Sequence, residues 1–321
     1  MKPRVVVTRN PPGDALRRVR EAAEVWVWPE NRPIDRMVLH TQIAEAAGLY
    51  CMLTDQVDTD LLARAPLLRV VSNMAVGFDN IDLAACAERG IAVGHTPDVL
   101  TDSTADIAWM LILGASRRMS EGIDVVRSGG WGEWNPSWLL GRDVSNTTLG
   151  IIGMGRIGRA VARRAVGFAM PILYASRSDK PDVEEATGAV RVSLRELLVR
   201  SDHVLVAVPL SAETRHLIGR DELELMKPTS NLVNIARGPI VDTDALVDAL
   251  TAGVIRCAGL DVTDPEPLPS DHPLLDLPNC TVVPHTGSST WETRAAMADV
   301  AADNLIAGLD GAPLPYRVPG T

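Results

Sequence analysis

The chain lacks the features that would direct it to a membrane, a nucleic acid or an oxidising compartment. Its four cysteines, Cys51, Cys86, Cys257 and Cys280, are scattered among apolar neighbours, and none forms a C-x-x-C pair. They are expected to be small buried side chains in a reducing cytoplasm, not a disulfide frame or a redox motif. The apolar run at the N-terminus, Val5-Val6-Val7, has three residues and predicts a strand, not a signal peptide. The longest apolar helical pattern, 107–115, is too short to cross a bilayer and is bounded by Asp106 and Arg117-Arg118. No run of Lys and Arg is long enough to follow a phosphate backbone, and the net charge is −10. Neither a nucleic-acid nor a membrane partner is expected, nor a metal. An acidic total does not exclude an anionic substrate, because a pocket can be locally basic.

What is present is an alternating pattern. With 321 residues, 46% hydrophobic and 22% charged, the chain has an ordinary globular composition and enough length for about two domains. Strands are expected at 4–8, 25–28, 49–53, 68–72 and 91–93, and helices at 12–24, 34–47, 59–65 and 81–89. A long helix is expected over 101–119, with Thr101, Asp102, Ser103 and Thr104 as cap candidates, and another over 121–127. From Leu149 the alternation resumes. Strands are expected at 171–174, 203–208, 231–235, 257–262 and 281–283, helices at 193–200 and 243–250, and a last helix at 291–309. This rhythm predicts an α/β protein with parallel sheets covered by helices.

One stretch organises the rest. Leu149-Gly150-Ile151-Ile152 runs into Gly153-Met154-Gly155-Arg156-Ile157-Gly158, and apolar residues continue at helical spacing through Ala160, Val161 and Ala165. Strand, G-x-G-x-x-G turn and helix N-terminus together predict a dinucleotide site. The first glycine allows the turn, the second lets a pyrophosphate approach the backbone, and the third lets helix and strand pack closely. The free amides and the positive end of the helix dipole receive the phosphates.

The residue that reads the adenosine ribose in such a site lies at the end of the next strand, about 20 residues on. That strand is followed by Ala175-Ser176-Arg177-Ser178, with no acid until Asp179. An acid at the strand end would bond a free ribose hydroxyl and repel a phosphate. Ser176, Arg177 and Ser178 supply a positive charge and hydroxyl donors instead. NADP(H) is therefore expected as the preferred cofactor, with NAD(H) possible.

Arg237, Glu266 and His285 follow three successive predicted strands. In a parallel sheet those ends share one edge, where ligands bind. Hydride transfer to a ketone needs a proton donor for the developing alkoxide, and histidine titrates in the right range. A carboxylate on the far nitrogen of an imidazole fixes its tautomer and favours the protonated ring, a role that suits Glu266. A guanidinium can bind a substrate carboxylate and polarise the carbonyl, which suits Arg237. A different feature, Trp131, Trp134 and Trp138, falls in an irregular segment rich in Gly and Pro. Such a cluster favours a protein–protein contact over a local core.

With these motifs in order, the chain resembles the D-isomer-specific 2-hydroxyacid dehydrogenases over nearly its whole length. Val76-Gly77-Phe78-Asp79-Asn80-Ile81-Asp82 is similar to the family's substrate-carboxylate loop, and Asn234-Ile235-Ala236-Arg237-Gly238 to its arginine motif. Asp261-Val262-Thr263-Asp264-Pro265-Glu266-Pro267 is similar to its glutamate motif, and Pro284-His285-Thr286-Gly287-Ser288 to its histidine motif. Within the family, the stretches 96–102, 129–138, 260–269 and 272–275 resemble members that reduce glyoxylate to glycolate and hydroxypyruvate to D-glycerate with NADPH. The departures are Thr286, where an apolar residue is common, and Ala236 before the arginine.

The resemblance implies two Rossmann-like or flavodoxin-like lobes with the active site in the cleft between them. Residues 1–100 and 288–321 would form the substrate lobe, and 101–287 the dinucleotide lobe. It makes Arg237, Glu266 and His285 the catalytic set. It adds Val76, Gly77, Leu53, Ser288 and Trp138 to the substrate contacts, and Pro209, Ile235 and Asp261 to the cofactor contacts. Asp261 would hold the nicotinamide carboxamide. The tryptophan segment would belong to the interface of a homodimer, with Trp138 reaching toward the other copy's pocket. The alternatives are a member acting on another 2-oxoacid, on phosphoglycerate or on phosphite, and, from a different class, a dinucleotide-sensing corepressor of the same fold. A phosphoglycerate enzyme would need more basic residues in the substrate lobe and often a regulatory extension. A corepressor would bring extra tails.

Overall fold

A computed structural model describes residues 2–321, and its two sheets belong to two separate units of the chain. The first unit takes the residues up to Leu100 together with Ser288–Thr321. Its elements alternate as β1 (Arg4–Val7), α1 (Ala15–Ala22), β2 (Glu24–Val27), α2 (Arg36–Ile43), β3 (Gly48–Cys51), α3 (Thr59–Ala63), β4 (Val70–Asn73), α4 (Leu83–Glu88) and β5 (Ala92–Gly94). The strands are parallel in the order β2-β1-β3-β4-β5, the flavodoxin-like winding. All four residues of β3 and of β4 are buried, as continuous apolar strands covered on both faces must be. The helix Trp291–Leu309 packs on β3, β4 and α1. Two hydrogen bonds tie the sheet to it: Tyr50 Oη donates to the Ala298 carbonyl at 3.1 Å and Ser72 Oγ to that of Ala301 at 2.6 Å.

The second unit is Thr101–Gly287. It opens with α5 (Thr101–Ser116) and α6 (Met119–Arg127). Then follow β6 (Leu149–Ile152), α7 (Arg156–Ala165), β7 (Ile172–Ala175), α8 (Pro181–Thr187), β8 (Val190–Arg191), α9 (Leu194–Arg200) and β9 (His203–Val206). The unit closes with α10 (Arg220–Leu225), β10 (Asn231–Asn234), α11 (Thr243–Ala252), β11 (Cys257–Leu260), α12 (Pro273–Asp276) and β12 (Cys280–Val282). The strand order is β12-β11-β10-β9-β6-β7-β8, all parallel. The winding reverses between β6 and β9, so the carboxyl edge of the sheet opens there into a ligand crevice. One core, with Trp109, Ile112, Leu149, Ile151, Val161 and Tyr174, lies under α5 and α7. The other, with Leu197, Val204, Leu232, Leu246 and Leu260, lies under α9 to α12.

The long helix expected over 101–119 ends at Ser116, and α6 begins at Met119. The chain breaks at Arg118, held at φ +54°. The helix expected from Pro12 begins at Ala15 instead, because Gly13 adopts φ +72° and turns the chain just before it. All four cysteines are buried and unpaired. Burial pushes the thiols of Cys86 and Cys257 up to about 11 and that of Cys280 up to about 12, so they behave as small apolar side chains and not as nucleophiles. No helix among the described residues is long and apolar enough to cross a membrane.

Candidate active site

The glycine turn sits where β6 meets α7. Gly153 has φ +100°, and a Cβ there would fall 2.5 Å from the carbonyl oxygen of Ala207, the residue just after the neighbouring strand β9. A Cβ at Gly158 would lie 2.2 Å from the Gly153 oxygen, so the third glycine is the contact point of helix and turn. At Gly155 a Cβ would meet nothing within 4 Å. That open space lies directly over the start of α7, whose N-cap Gly155 has no side chain to satisfy the first amides. Uncapped amides beside an open glycine fit the pyrophosphate of a dinucleotide. Arg156 is exposed there and Ile157 half-buried, while the Met154 side chain is buried in the core, leaving only its backbone for a ligand.

The loop after β7 is built by local hydrogen bonds. Ser176 Oγ donates to the Ser178 carbonyl at 2.5 Å, and Lys180 Nζ donates to Ser178 Oγ at 2.7 Å. Arg191, on the neighbouring strand β8, donates from Nε to the Ser176 carbonyl at 3.0 Å and from Nη1 to Asp179 at 2.8 Å. The acid of this loop is thus occupied by a cation, while Arg177 is exposed and near Glu213. The Glu213 carboxyl is held below its usual range, first by the Ser211 hydroxyl and also by the charge of Arg177. Pro209 is exposed after β9, and Ile235 is buried at the end of β10.

Three loops at the carboxyl ends of β10, β11 and β12 carry the charged trio. Arg237 follows β10, with its carbonyl accepting from Asn234 Nδ2 at 2.9 Å and its Nη1 donating to the Ala236 carbonyl at 2.8 Å. The next residue, Gly238, lies so close to the loop after β11 that a Cβ would fall 1.9 Å from the Thr263 oxygen. This approach brings the arginine and glutamate loops together. His285 Nδ1 is 2.6 Å from Glu266 Oε1. Burial works to raise the Glu266 pKa, but the hydrogen bond and charge of His285, the Thr263 amide and the charge of Arg237 outweigh it and hold the carboxyl below its ordinary value.

Asp261 builds the turn that presents the histidine. Its carboxylate accepts from the Thr286 amide at 2.6 Å, the Thr286 hydroxyl at 3.2 Å and the Gly287 amide at 2.9 Å. Its carbonyl accepts from the His285 amide at 2.9 Å. These contacts hold His285 at φ +52°, a left-handed backbone that costs a residue with a side chain about 1–2 kcal/mol. Thr286, an oddity in the sequence, therefore serves as a donor to Asp261.

In the first unit, the sequence-predicted substrate residues occupy strand ends. Leu53 follows β3, and Val76 and Gly77 follow β4, all half-buried. The amides of Val76 and Gly77 have no acceptor among the described residues. Ser288 is half-buried ahead of the last helix, whose label is α13 (Trp291–Leu309), and its carbonyl accepts from Arg294 Nε at 3.2 Å. Trp138, in the second unit, is 41% exposed.

Residues 109–287 match the family model described as D-isomer specific 2-hydroxyacid dehydrogenase, NAD binding domain. A protein of Thermococcus gammatolerans named glyoxylate reductase is 50% identical over 315 residues, covering 97% of this chain and 94% of its own. A solved structure from Thermus thermophilus has a TM-score of 0.92 at 46% identity, covering 98% of this chain and 99% of its own. An NADPH-dependent glyoxylate/hydroxypyruvate reductase of Sinorhizobium meliloti, solved with NADP and malonate, has a TM-score of 0.88 at 32% identity, covering 100% of this chain and 98% of its own.

The chain belongs to the D-isomer specific 2-hydroxyacid dehydrogenase family. It is an oxidoreductase whose second unit contains a nicotinamide-dinucleotide domain. The Glu266–His285 hydrogen bond engages Nδ1 of the ring and fixes its orientation. Two residues near the predicted phosphate loop escaped the sequence reading, Lys180 and Arg191. Lys180 directly precedes Pro181 at the start of α8, with Gly188 closing that helix at φ +69°. This proline-then-glycine signature was available in the sequence. Arg191 lies on a two-residue strand, which leaves no periodic pattern to detect.

Proposed function

We propose that this protein reduces glyoxylate to glycolate, and hydroxypyruvate to D-glycerate, with NADPH. The 2.6 Å contact of His285 with Glu266, on the sheet edge that also carries Arg237, is the observation that supports a proton-donating reductase. When bound, the reduced nicotinamide supplies the hydride. His285 delivers the proton to the developing alkoxide from Nε2, since Nδ1 is engaged by Glu266. Glu266 fixes the tautomer and balances the imidazolium charge. Arg237 pairs with the substrate carboxylate and polarises the carbonyl. The Val76 and Gly77 amides take the carboxylate, Leu53 and Trp138 give apolar contacts, and Ser288 gives a polar one. In the oxidative direction the neutral ring takes the proton back.

The preference for NADPH rests on Ser176, Arg177 and Ser178, joined by Lys180, around a strand end whose nearest acid is occupied by Arg191. The choice of glyoxylate and hydroxypyruvate is supported by the names of the T. gammatolerans and S. meliloti proteins. In this reading the first unit binds substrate and the second binds cofactor through Gly153–Gly158, Pro209, Ile235 and Asp261. A homodimer is supported by Trp131, Trp134 and Trp138, which are 67%, 83% and 41% exposed. Sedimentation gives twice the chain mass in this reading, and the mass of one chain contradicts it. A panel of small 2-oxoacids with NADPH and NADH tests the reaction. Turnover of glyoxylate faster with NADPH supports the proposal, and no turnover of any 2-oxoacid overturns it.

A further inference from the structure

The Val76–Gly77 amides can receive a carboxylate only if their two peptide planes are held in one orientation. In a planar trans peptide the N–H points opposite to the C=O. The carbonyl of Ala75 therefore aims the amide of Val76, and the carbonyl of Val76 aims that of Gly77. Both carbonyls are pinned by adjacent residues on another segment. The Thr96 amide donates to the Ala75 oxygen at 2.8 Å, and His95 Nδ1 lies 2.9 Å from the Val76 oxygen. A carbonyl oxygen can only accept, so this geometry assigns the ring proton to Nδ1. The Gly77 carbonyl is fixed in turn by Asn73 Nδ2 at 3.0 Å.

The segment that does this is itself held firmly. The His95 amide donates to the Tyr316 carbonyl at 3.1 Å, and the His95 carbonyl accepts from Asn304 Nδ2 at 2.9 Å. Asn304, fully buried on α13, also accepts from the Tyr316 amide at 2.9 Å. The residue before His95 is Gly94, where a Cβ would fall 2.7 Å from Asn304. Phe78 packs edge-on against the His95 ring, with centroids 5.6 Å apart. Neither His95 nor Asn304 belongs to the proton-transfer apparatus.

We propose that His95 is a positioning residue for the substrate carboxylate, acting through its hydrogen bond to the Val76 carbonyl to aim the Gly77 amide. The proposal rests on the reading that the Val76 and Gly77 amides bind that carboxylate. It implies a division of labour. The Thr96 contact is backbone to backbone and insensitive to side chain, whereas the His95 contact depends on one N–H and can be removed.

The test compares His95→Leu with His95→Asn. Leucine fills much of the space without a donor. Asparagine places an N–H on the atom bonded to Cγ, as histidine does with Nδ1. The expected result is a KM for glyoxylate raised roughly tenfold in His95→Leu, the scale of one lost hydrogen bond with its acceptor left unpaired. In His95→Asn most of that loss is restored, and the KM for NADPH is unchanged in both. An equal loss in the two variants, or an unchanged glyoxylate KM in His95→Leu, overturns the proposal. Should His95→Leu fail to fold, His95→Gln carries the same expectation of a raised KM, because its N–H sits one carbon further out.

Oxalate, added to the NADP-loaded protein with 15N-labelled valine and glycine, separates this proposal from its premise. The Gly77 amide resonance is expected to move in the wild type and to need more oxalate in His95→Leu. Movement in the wild type with equal oxalate affinity in His95→Leu overturns the role of His95 alone. No movement in the wild type overturns the carboxylate reading and the proposal with it.

Discussion

His285 Nδ1 lies 2.6 Å from Glu266 Oε1, and the histidine that makes this contact sits at φ +52°. The backbone strain and the hydrogen bond belong together. The Asp261 carboxylate holds Thr286 and Gly287, the turn presents the ring, and Glu266 fixes its far nitrogen. Local strain retained beside a charge-assisted contact marks a place where orientation matters more than stability.

That carboxylate can be neutralised without changing its shape. Glu266→Gln keeps the shape and removes the charge, and kcat for glyoxylate is expected to fall by about 10² while the KM for NADPH stays unchanged. The same group sets the acid limit. Its folded pKa is depressed, so its contribution is fully present above the ordinary carboxylate range and is lost as pH falls through the lower folded value. In the wild type, activity is therefore expected to persist below that ordinary range. An acid limb at the usual glutamate value, or one identical in Glu266→Gln, contradicts this.

Cofactor choice is a separate matter from proton transfer. Arg177→Ala is expected to raise the KM for NADPH roughly tenfold to a hundredfold, the worth of a hydrogen bond to a charged group, with little change for NADH. Steady-state kinetics with both cofactors read the difference. Equal losses for the two mean that Arg177 does not read the phosphate.

The approach of the arginine and glutamate loops depends on a missing side chain. Gly238→Ala places a Cβ 1.9 Å from the Thr263 oxygen, against backbone that cannot swing away. A loss of about 1–3 kcal/mol in stability is expected from such overpacking, with kcat reduced as Arg237 and Glu266 move apart. Thermal unfolding and turnover check this together, and a variant with wild-type values for both shows that the contact is not needed.

Much of this was legible in the sequence because the informative residues lie at the ends of strands. The G-x-G-x-x-G turn and the charged trio each follow a strand end, a junction that residue type announces, and the helix expected over 193–200 forms as α9. What was missed lies where the signal is weak or nonlocal. The break expected between helices over 101–119 and 121–127 falls two or three residues earlier, at Arg118, a non-glycine in the left-handed region, a position that no propensity foretells. Helix α10 is closed at its start by the Glu222 carboxylate on the Gly219 amide, 3.1 Å away, and not by the usual small polar residue. Arg191 reaches the loop after β7 only through strand pairing. The role of Asp261 at the histidine turn is likewise set by a contact across 25 positions in sequence.

In the proposed reaction, His285 donates the proton in a reduction driven by a nicotinamide cofactor. The decisive comparison is turnover of NADPH with glyoxylate by wild-type and His285→Ala protein, beside NADPH binding by both. A fall in kcat of about 10² to 10⁴ is expected, with NADPH affinity retained. An unchanged kcat in the variant contradicts it.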